Sequence, residues 1–289
     1  MDVLGSVLVI GVVSGAIYGL FALGLVLVYK TSRVLNLAQA EIGGLAAFVT
    51  LAAVDRIHVW PLAAAIGLAV SCAVGLGFER AIVRPLLEAP RLTLVVATLS
   101  AGLLIGGLET KIWGVDARAL PTPFHFRGPS LAGVVVPPAR LVALGASIVV
   151  AGAAAWFMRS TTLGLGLRAA ADDPVAVRLT GVRVRHLSAL TWAASSLFGG
   201  MAGIVIALSL GAFAPFFMTR LMLLGFAAAV VGGLTSLVGA LTGGIVVGVL
   251  EAVVARYWIS VPGAVEVAML AAIVAFLLLR PRGMFGQPA

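Results

Sequence analysis

Four glutamates interrupt long apolar stretches of this sequence, and they are the residues whose chemistry first needs an explanation. A charge at the centre of a lipid bilayer costs about 2.5–3.5 kcal/mol, so such side chains face protein or water rather than lipid. In that setting a carboxylate could bind a polar solute or carry a proton. The four are Glu41, Glu109, Glu251 and Glu266.

Glu41 belongs to the most polar of these stretches. Asn36 and Gln39 precede it and, being three residues apart, share one helix face, while Glu41 lies off that face. Thr98 and Ser100 place two hydroxyls in another apolar run. We predict that these five side chains line the path of a solute, but a polar cluster that caps and pairs at a helix end explains the residues around Glu41 equally well.

The other three glutamates have simpler interpretations. Glu109 lies two residues before Lys111 near the end of its run, and we expect both at the membrane interface. Glu251 lies five residues before Arg256, which predicts a structural ion pair. Glu266 opens an apolar run, where a carboxylate suits the positive end of a helix dipole.

Residues for catalysis are scarce. The three histidines are scattered, no H-E-x-x-H motif occurs, and the single cysteine, Cys72, excludes an internal disulfide and a cysteine metal cluster. Thr98 and Ser100 have no base nearby in the sequence. No G-x-x-x-x-G-K-[ST] motif is present, so the chain does not hydrolyse ATP by the P-loop route. We therefore predict no catalytic residue, no metal and no bound cofactor.

The composition is that of an integral membrane protein. The chain is 62% hydrophobic and 10% charged, against about 45–50% and about 25% for a soluble domain. The apolar runs last about 20 residues, as in membrane helices. The strands of a membrane β-barrel would instead show alternating apolar and polar residues over about 10 residues. The net charge of +8 comes from arginines between apolar runs, where orientation signals lie, and does not indicate nucleic-acid binding. The first run has no basic segment before it and is long enough to span, so we expect no cleaved signal peptide.

About nine apolar segments predict an all-α, polytopic bundle that forms a single transmembrane domain over residues 1–289. The eighth begins directly after Thr235-Ser236, and the seventh has only 14 residues, which cover about 21 Å of a hydrocarbon core of about 30 Å. Whether this pair crosses as two full spans stays open at this point. The segments are 4–29, 35–54, 60–78, 92–113, 140–158, 188–210, 221–234, 237–254 and 264–279.

Basic residues predict the orientation. With the N-terminus outside, 12 of the 19 lysines and arginines lie inside, which places segment 159–187 and the C-terminus in the cytoplasm. Pairs of glycines four residues apart predict close helix packing in lipid. They are Gly15/Gly19, Gly102/Gly106, Gly199/Gly203, Gly239/Gly243 and Gly244/Gly248.

Segment 159–187 is a basic interruption of the apolar chain that carries folding signals. Asp173 followed by Pro174 marks a helix start, and Gly181 marks its stop. We predict a short capped helix from Asp173 to Leu179 on the cytoplasmic surface.

Four blocks of this sequence resemble the permease subunits of branched-chain amino acid ABC importers, in particular the shorter, H-type permease. They occur in that family's order and run nearly end to end. They are GAIYGLFALGLVLVYKTSRVLNLAQAE (15–41), TTLGLGLRAAADDPVAVRLTGV (161–182), GFAAAVVGGLTSLVGALTGGIVVGVLE (225–251) and LLLRPRGMFG (277–286).

Two positions depart from the family pattern. The family usually shows N-F-A-H-G-E where this chain has Asn36-Leu37-Ala38-Gln39-Ala40-Glu41, so substrate preference could differ if that position lines the path. Thr235 replaces the third glycine of the late G-G-x-G-S block, which puts a tight turn there in doubt.

The resemblance implies a permease in the bacterial inner membrane that binds no cofactor itself. ATP would be used by two cytoplasmic ATP-binding subunits, and a second permease subunit and an external solute-binding protein would complete the importer. Its solutes would be hydrophobic amino acids or small amides such as urea. Segment 161–182 would be the loop that couples to the ATPase, through Asp172, Asp173, Pro174, Ala176, Leu179 and Gly181. The alternative is a secondary transporter coupled to protons through Glu41.

Overall fold

The fold is described from a computed structural model that covers residues 3–86, 89–124, 128–131, 134–172, 184–280 and 283–285. The predicted helix from Asp173 to Leu179 and the coupling residue Gly181 lie outside these ranges. Asp172 is the last residue of a described helix.

Ten α-helices make up most of the described chain, and each of the nine predicted apolar segments corresponds to one of them. The tenth is α6, which follows α5 in the predicted cytoplasmic segment. The helices are α1 (Val3–Ser32), α2 (Gln39–Ile57), α3 (Trp60–Phe78), α4 (Arg91–Trp113), α5 (Pro138–Ser160), α6 (Thr162–Asp172), α7 (Val184–Leu210), α8 (Thr219–Gly232), α9 (Leu237–Tyr257) and α10 (Ala264–Leu279). The prediction of an all-α polytopic bundle is confirmed.

Short irregular elements join some helices. A π-helical turn (Glu79–Val83) extends α3. The long loop after α4 contains an antiparallel pair of short strands, β1 (Ser130–Leu131) and β2 (Val134–Val135). The backbone of Arg118 in the same loop pairs with Phe213, which ties this loop to the segment between α7 and α8.

Six helices in the described part are long and apolar enough to cross a membrane: α1, α3 with its π turn, α4, α5, α7 and α9. The 14 residues of α8 and the 16 of α10 make shorter apolar helices. The pair around Thr235 therefore consists of one helix of full length, α9, and one short helix, α8.

The centre of the bundle is α1, which contacts α5, α6, α7, α8 and α9. Its glycines let α9 approach closely, as the glycine spacing predicts. A β-carbon at Gly15 would lie 2.5 Å from the carbonyl oxygen of Gly244 and 2.7 Å from the Cα of Ile245. A β-carbon at Gly11 would lie 2.6 Å from the Cα of Val249. Such separations leave no room for a side chain, so backbone packs directly on backbone.

The turn between α8 and α9 forms although Thr235 replaces a glycine. Gly233 supplies the positive φ, 105°, that this turn needs. Gly283 lies against it, since a β-carbon there would be 2.5 Å from the Cα of Gly233. The backbone N–H of Met284 donates to the carbonyl of Val231 at 2.9 Å. The two sequence blocks 225–251 and 277–286, which carry part of the family resemblance, thus pack on each other.

Candidate functional site

The chain breaks between α1 and α2, and α2 begins inside the bundle. The Gln39 side chain, at the start of α2, donates from Nε2 to the carbonyl oxygen of Phe21 at 2.8 Å. Phe21 lies 11 residues before the end of α1 at Ser32, which corresponds to about 17 Å along the helix axis. The N-terminus of α2 is therefore well inside the depth that α1 spans.

Thr98 on α4 holds this break in place. Its hydroxyl accepts from the backbone N–H of Leu37 at 3.4 Å, and its one proton is shared between the carbonyl oxygens of Val95, at 2.8 Å, and Leu35, at 3.2 Å. Asn36, between Leu35 and Leu37, is fully buried, and neither its amide nitrogen nor its amide oxygen has a partner among the described residues. A buried amide without partners is costly, so Asn36 stays available to a group from outside the chain.

Gln39 links three helices. Its Nε2 reaches α1, and its Oε1 accepts a hydrogen bond from the Ser195 hydroxyl of α7 at 2.7 Å. Gly24 and Gly199 provide the space, because a β-carbon at Gly199 would lie 2.9 Å from the Gln39 Cγ. This is the position at which the family pattern has histidine. In this conformation both ends of the Gln39 amide are bonded to protein, and its role in lining a path stays a prediction.

Glu41 faces a second break, between α7 and α8. The Thr219 hydroxyl, at the first residue of α8, lies 3.4 Å from the Glu41 Oε1, which makes a long hydrogen bond. The Glu41 Oε2 has no partner in the described chain. Glu41 extends past α4 at Gly102, where a β-carbon would lie 3.8 Å from its Cγ. Two helices, α2 and α8, thus begin beside one buried carboxylate, as around the solute sites of many transporters.

Glu109 lies four residues before the end of α4 at Trp113, as its place in the apolar run predicts, but its side chain is buried against α2, which the neighbouring Lys111 does not indicate. Its side chain is fully enclosed, and a β-carbon at Gly44 on α2 would lie 3.1 Å from its Oε1. The spacing of Gly102, Gly106 and Glu109 contained the signal, because these residues fall on one helix face. The glycines bring that face of α4 towards α2, and Glu109 goes with them.

The predicted path residues do not all come together. Asn36, Gln39 and Thr98 lie at the first break, and Glu41 lies next to the second. Ser100 is exposed on α4, whereas Thr98 is buried. In this conformation Ser100 is therefore separate from the other four.

Arg220, at the start of α8, forms ion pairs with two of the predicted glutamates. Arg220 Nη2 lies 3.1 Å from Glu251 Oε1, and Arg220 Nε lies 3.6 Å from Glu266 Oε1. The Tyr18 hydroxyl donates to the other oxygen of Glu251. The structural ion pair predicted for Glu251 thus forms with Arg220 rather than with Arg256. Glu266 lies in the first turn of α10, as expected.

The described residues contain no group of three or more histidine, cysteine, aspartate or glutamate side chains that could hold a metal ion. What the interior offers is a set of hydrogen-bond acceptors with few donors. The Glu41 and Glu109 carboxylates and the Asn36 amide are suited to binding a polar or cationic group rather than to covalent chemistry.

Residues 7–280 match the family model described as the permease component of branched-chain amino acid transport systems. Among curated proteins, the chain is 28% identical to the high-affinity branched-chain amino acid transport system permease protein BraD of Pseudomonas aeruginosa, covering 97% of this chain and 95% of BraD. It is also 28% identical to the permease protein LivH of Salmonella typhimurium, covering 96% of this chain and 94% of LivH.

A solved structure, PsaBC from Streptococcus pneumoniae in complex with Fab, aligns with a TM-score of 0.51 over 96% of this chain and 92% of that chain. The sequence identity is only 11%, so this likeness concerns the fold alone. The match with the family model covers the helices of the bundle, both breaks and the buried acids.

Proposed function

This chain belongs to the family of permease components of branched-chain amino acid transport systems, and on that premise we propose that it forms the solute path of an ATP-driven importer for hydrophobic amino acids. It is a multi-pass membrane protein and a transport permease. The observation that carries the proposal is the match of residues 7–280 to the family. Branched-chain amino acids come first among the solutes, because both relatives are named for them. Small amides such as urea are the second class.

The arrangement of the interior supports a transport role. Breaks at 33–38 and 211–218 precede α2 and α8, and the first residue of α8, Thr219, brings its hydroxyl to Glu41 on α2. Irregular backbone at membrane depth is tolerated where it is enclosed by protein or lines a cavity. A path through the bundle along these breaks would expose carboxylate and amide groups to a polar solute, while the rest of the chain stays apolar.

The energy source we propose lies in other chains. A permease component works as part of a transport system, and the sequence has no P-loop. We propose two cytoplasmic ATP-binding subunits, a second permease subunit and an external solute-binding protein as partners. Segment 159–187 would dock in a groove of an ATP-binding subunit, so that closure of the ATPase pair switches the bundle between outward-facing and inward-facing states. The chain itself would bind no cofactor.

Transport in vesicles tests the proposal directly. Right-side-out proteoliposomes with the full set of subunits, with the binding protein outside, should accumulate leucine, isoleucine or valine only when ATP is enclosed with the ATPase subunits, and a proton uncoupler should leave the initial rate unchanged. A proton-coupled secondary transporter would give the opposite pattern. Uptake that continues without ATP and collapses with the uncoupler would exclude the importer.

The orientation we propose places the chain in the bacterial inner membrane with its N-terminus outside and its C-terminus in the cytoplasm. In a Cys72→Ala background, Arg178→Cys should react with a membrane-impermeant thiol reagent from the cytoplasmic side only. Val115→Cys is the matched control, because Val115 is exposed in the loop after α4, and it should react from the outside only. The reversed pair of results would invert the topology.

A further inference from the structure

Two carboxylates from different helices meet in the interior without a basic partner. Glu109 on α4 is 0% exposed, and neither of its oxygens has a hydrogen-bond partner among the described residues. Its Oε1 lies against Gly44, which follows Glu41 by about one turn of α2. Glu41 is 6% exposed, and its side chain lies against α4 at Gly102, where a β-carbon would be 3.8 Å from the Glu41 Cγ.

No ion pair of the described residues includes either acid. Arg84 pairs with Glu79, and Arg220 pairs with the acids of α9 and α10. The single hydrogen bond to this group within the described chain is the long one from Thr219 to Glu41. Three carboxylate oxygens, one from Glu41 and two from Glu109, are therefore open acceptors in a buried position. Burying such groups without donors is unfavourable, so this position favours a donor from beyond the described residues.

An aromatic ring lies near this group. The ring of Phe216 packs on Gly106 of α4, where a β-carbon would lie 2.6 Å from its Cζ. Gly106 precedes Glu109 by about one turn of α4, and Phe216 precedes by three residues Thr219, whose hydroxyl bonds to Glu41. Phe216 is 39% exposed and has a φ of 65°. An exposed aromatic ring next to buried acids is a surface on which a cation binds favourably.

We propose that Glu41 and Glu109 together bind the α-ammonium group of the transported amino acid, with Phe216 covering the site. An ammonium group has three N–H donors and no acceptor, which matches three open acceptor oxygens. The positive charge offsets one of the two carboxylate charges, and the ring face stabilises the cation further. The solute carboxylate and side chain would then extend towards the breaks, where Asn36 has free donor and acceptor atoms. This inference rests on the proposed transport of amino acids.

Protection of an introduced cysteine tests binding separately from transport. In the assembled permease with Cys72→Ala and Thr219→Cys, which puts a thiol at an exposed position beside Glu41 and keeps Phe216, isoamylammonium should slow labelling of the introduced thiol by a water-soluble reagent at least fivefold. Isocaproate, which replaces the ammonium group by a carboxylate, and sodium chloride at the same concentration should not. Adding Glu109→Gln or Glu41→Gln should abolish the protection. The matched control Glu266→Gln should keep it, because Glu266 is half exposed and lies in the Arg220 network.

Several results would overturn the inference. Isoamylammonium could give no protection, as expected if the two carboxyl groups simply share a proton. Isocaproate could protect equally, which would indicate an apolar site. Protection could also persist with Glu109→Gln. Any of these results excludes the ammonium site and leaves the importer proposal unaffected. The importer proposal fails on a different observation, the absence of ATP-dependent uptake by the unmodified complex.

Transport by the glutamate variants gives the second measurement. With saturating loaded binding protein, Glu109→Gln should lower leucine uptake at least tenfold, while assembly with the partner subunits and basal ATP hydrolysis stay within twofold of the unmodified complex. Glu109→Asp should recover part of the uptake, because it keeps the charge. Equal losses of uptake, assembly and ATP hydrolysis in Glu109→Gln would make Glu109 a structural residue and contradict the proposal.

Discussion

A Gly203→Ala chain should be clearly less stable than the unmodified chain, although a single methyl group is added. Gly203 on α7 crosses α2 at Gly43, and a β-carbon at Gly203 would overlap the carbonyl oxygen of Gly43. A β-carbon at Gly43 would lie 2.5 Å from the carbonyl oxygen of Gly199. The two helices have to separate to admit the methyl group. Because backbone rather than a flexible side chain blocks it, we expect a cost of about 3 kcal/mol, at the upper end of the overpacking range.

The free energy of unfolding of the purified chain, titrated with denaturant in mixed micelles, measures this loss. Gly107→Ala is the matched control, because Gly107 is also a helical glycine but nothing lies within 4 Å of a β-carbon there. Alanine is the better helix former by about 1 kcal/mol, so the control should be neutral or slightly stabilising. If the two variants unfold at the same denaturant concentration, the close crossing of α2 and α7 is wrong.

The double substitution Asp173→Ala with Leu179→Asp should reduce ATP-dependent uptake to background while the chain still inserts into the membrane. The first change removes the predicted helix cap, which typically contributes about 1 kcal/mol. The second puts a charge on the apolar side of the predicted helix, where it would have to be buried against the ATP-binding subunit. Co-purification of the ATP-binding subunits should fall in parallel with uptake.

A matched pair of substitutions on the loop after α4 serves as the control. Asp116→Ala with Val115→Asp likewise removes an acid and adds one at an apolar position, and both residues are exposed. This variant should retain its ATP-binding subunits. Normal uptake and normal co-purification in the Asp173→Ala, Leu179→Asp variant would show that segment 159–187 does not couple the permease to ATP hydrolysis.

The sequence predicts the elements of this fold well, because each helix is encoded locally. Runs of apolar residues set the length of the helices, and all nine predicted segments coincide with helices within a few residues. The spacing of glycines predicts where helices approach one another, and Gly15 and Gly244 do so. The family resemblance rests on long contiguous blocks, and the match over residues 7–280 confirms it.

Pairing between distant residues is predicted less well. The sequence places Arg256 nearest to Glu251 along the chain, yet Arg220, 31 residues away, is the partner. Sequence distance is a poor guide here, because α8 and α9 form a hairpin that returns the chain to the same level. Lys111 likewise does not indicate the burial of Glu109, since the face of the helix on which a residue lies matters more than a neighbour two residues further on.

The class of protein, the number of apolar helices and the family follow from the amino-acid sequence without a structure, since apolar length, charge placement and motif blocks are all local properties. The start of α2 inside the bundle, and the burial of Glu109 against Gly44 of α2, emerge only from the three-dimensional arrangement. The depth at which a helix starts depends on how far the chain turns back into the bundle after the preceding helix. The burial of a side chain depends on which neighbouring helix covers its face. Both are set by the packing of α2 against α4 and α7, which no local pattern specifies.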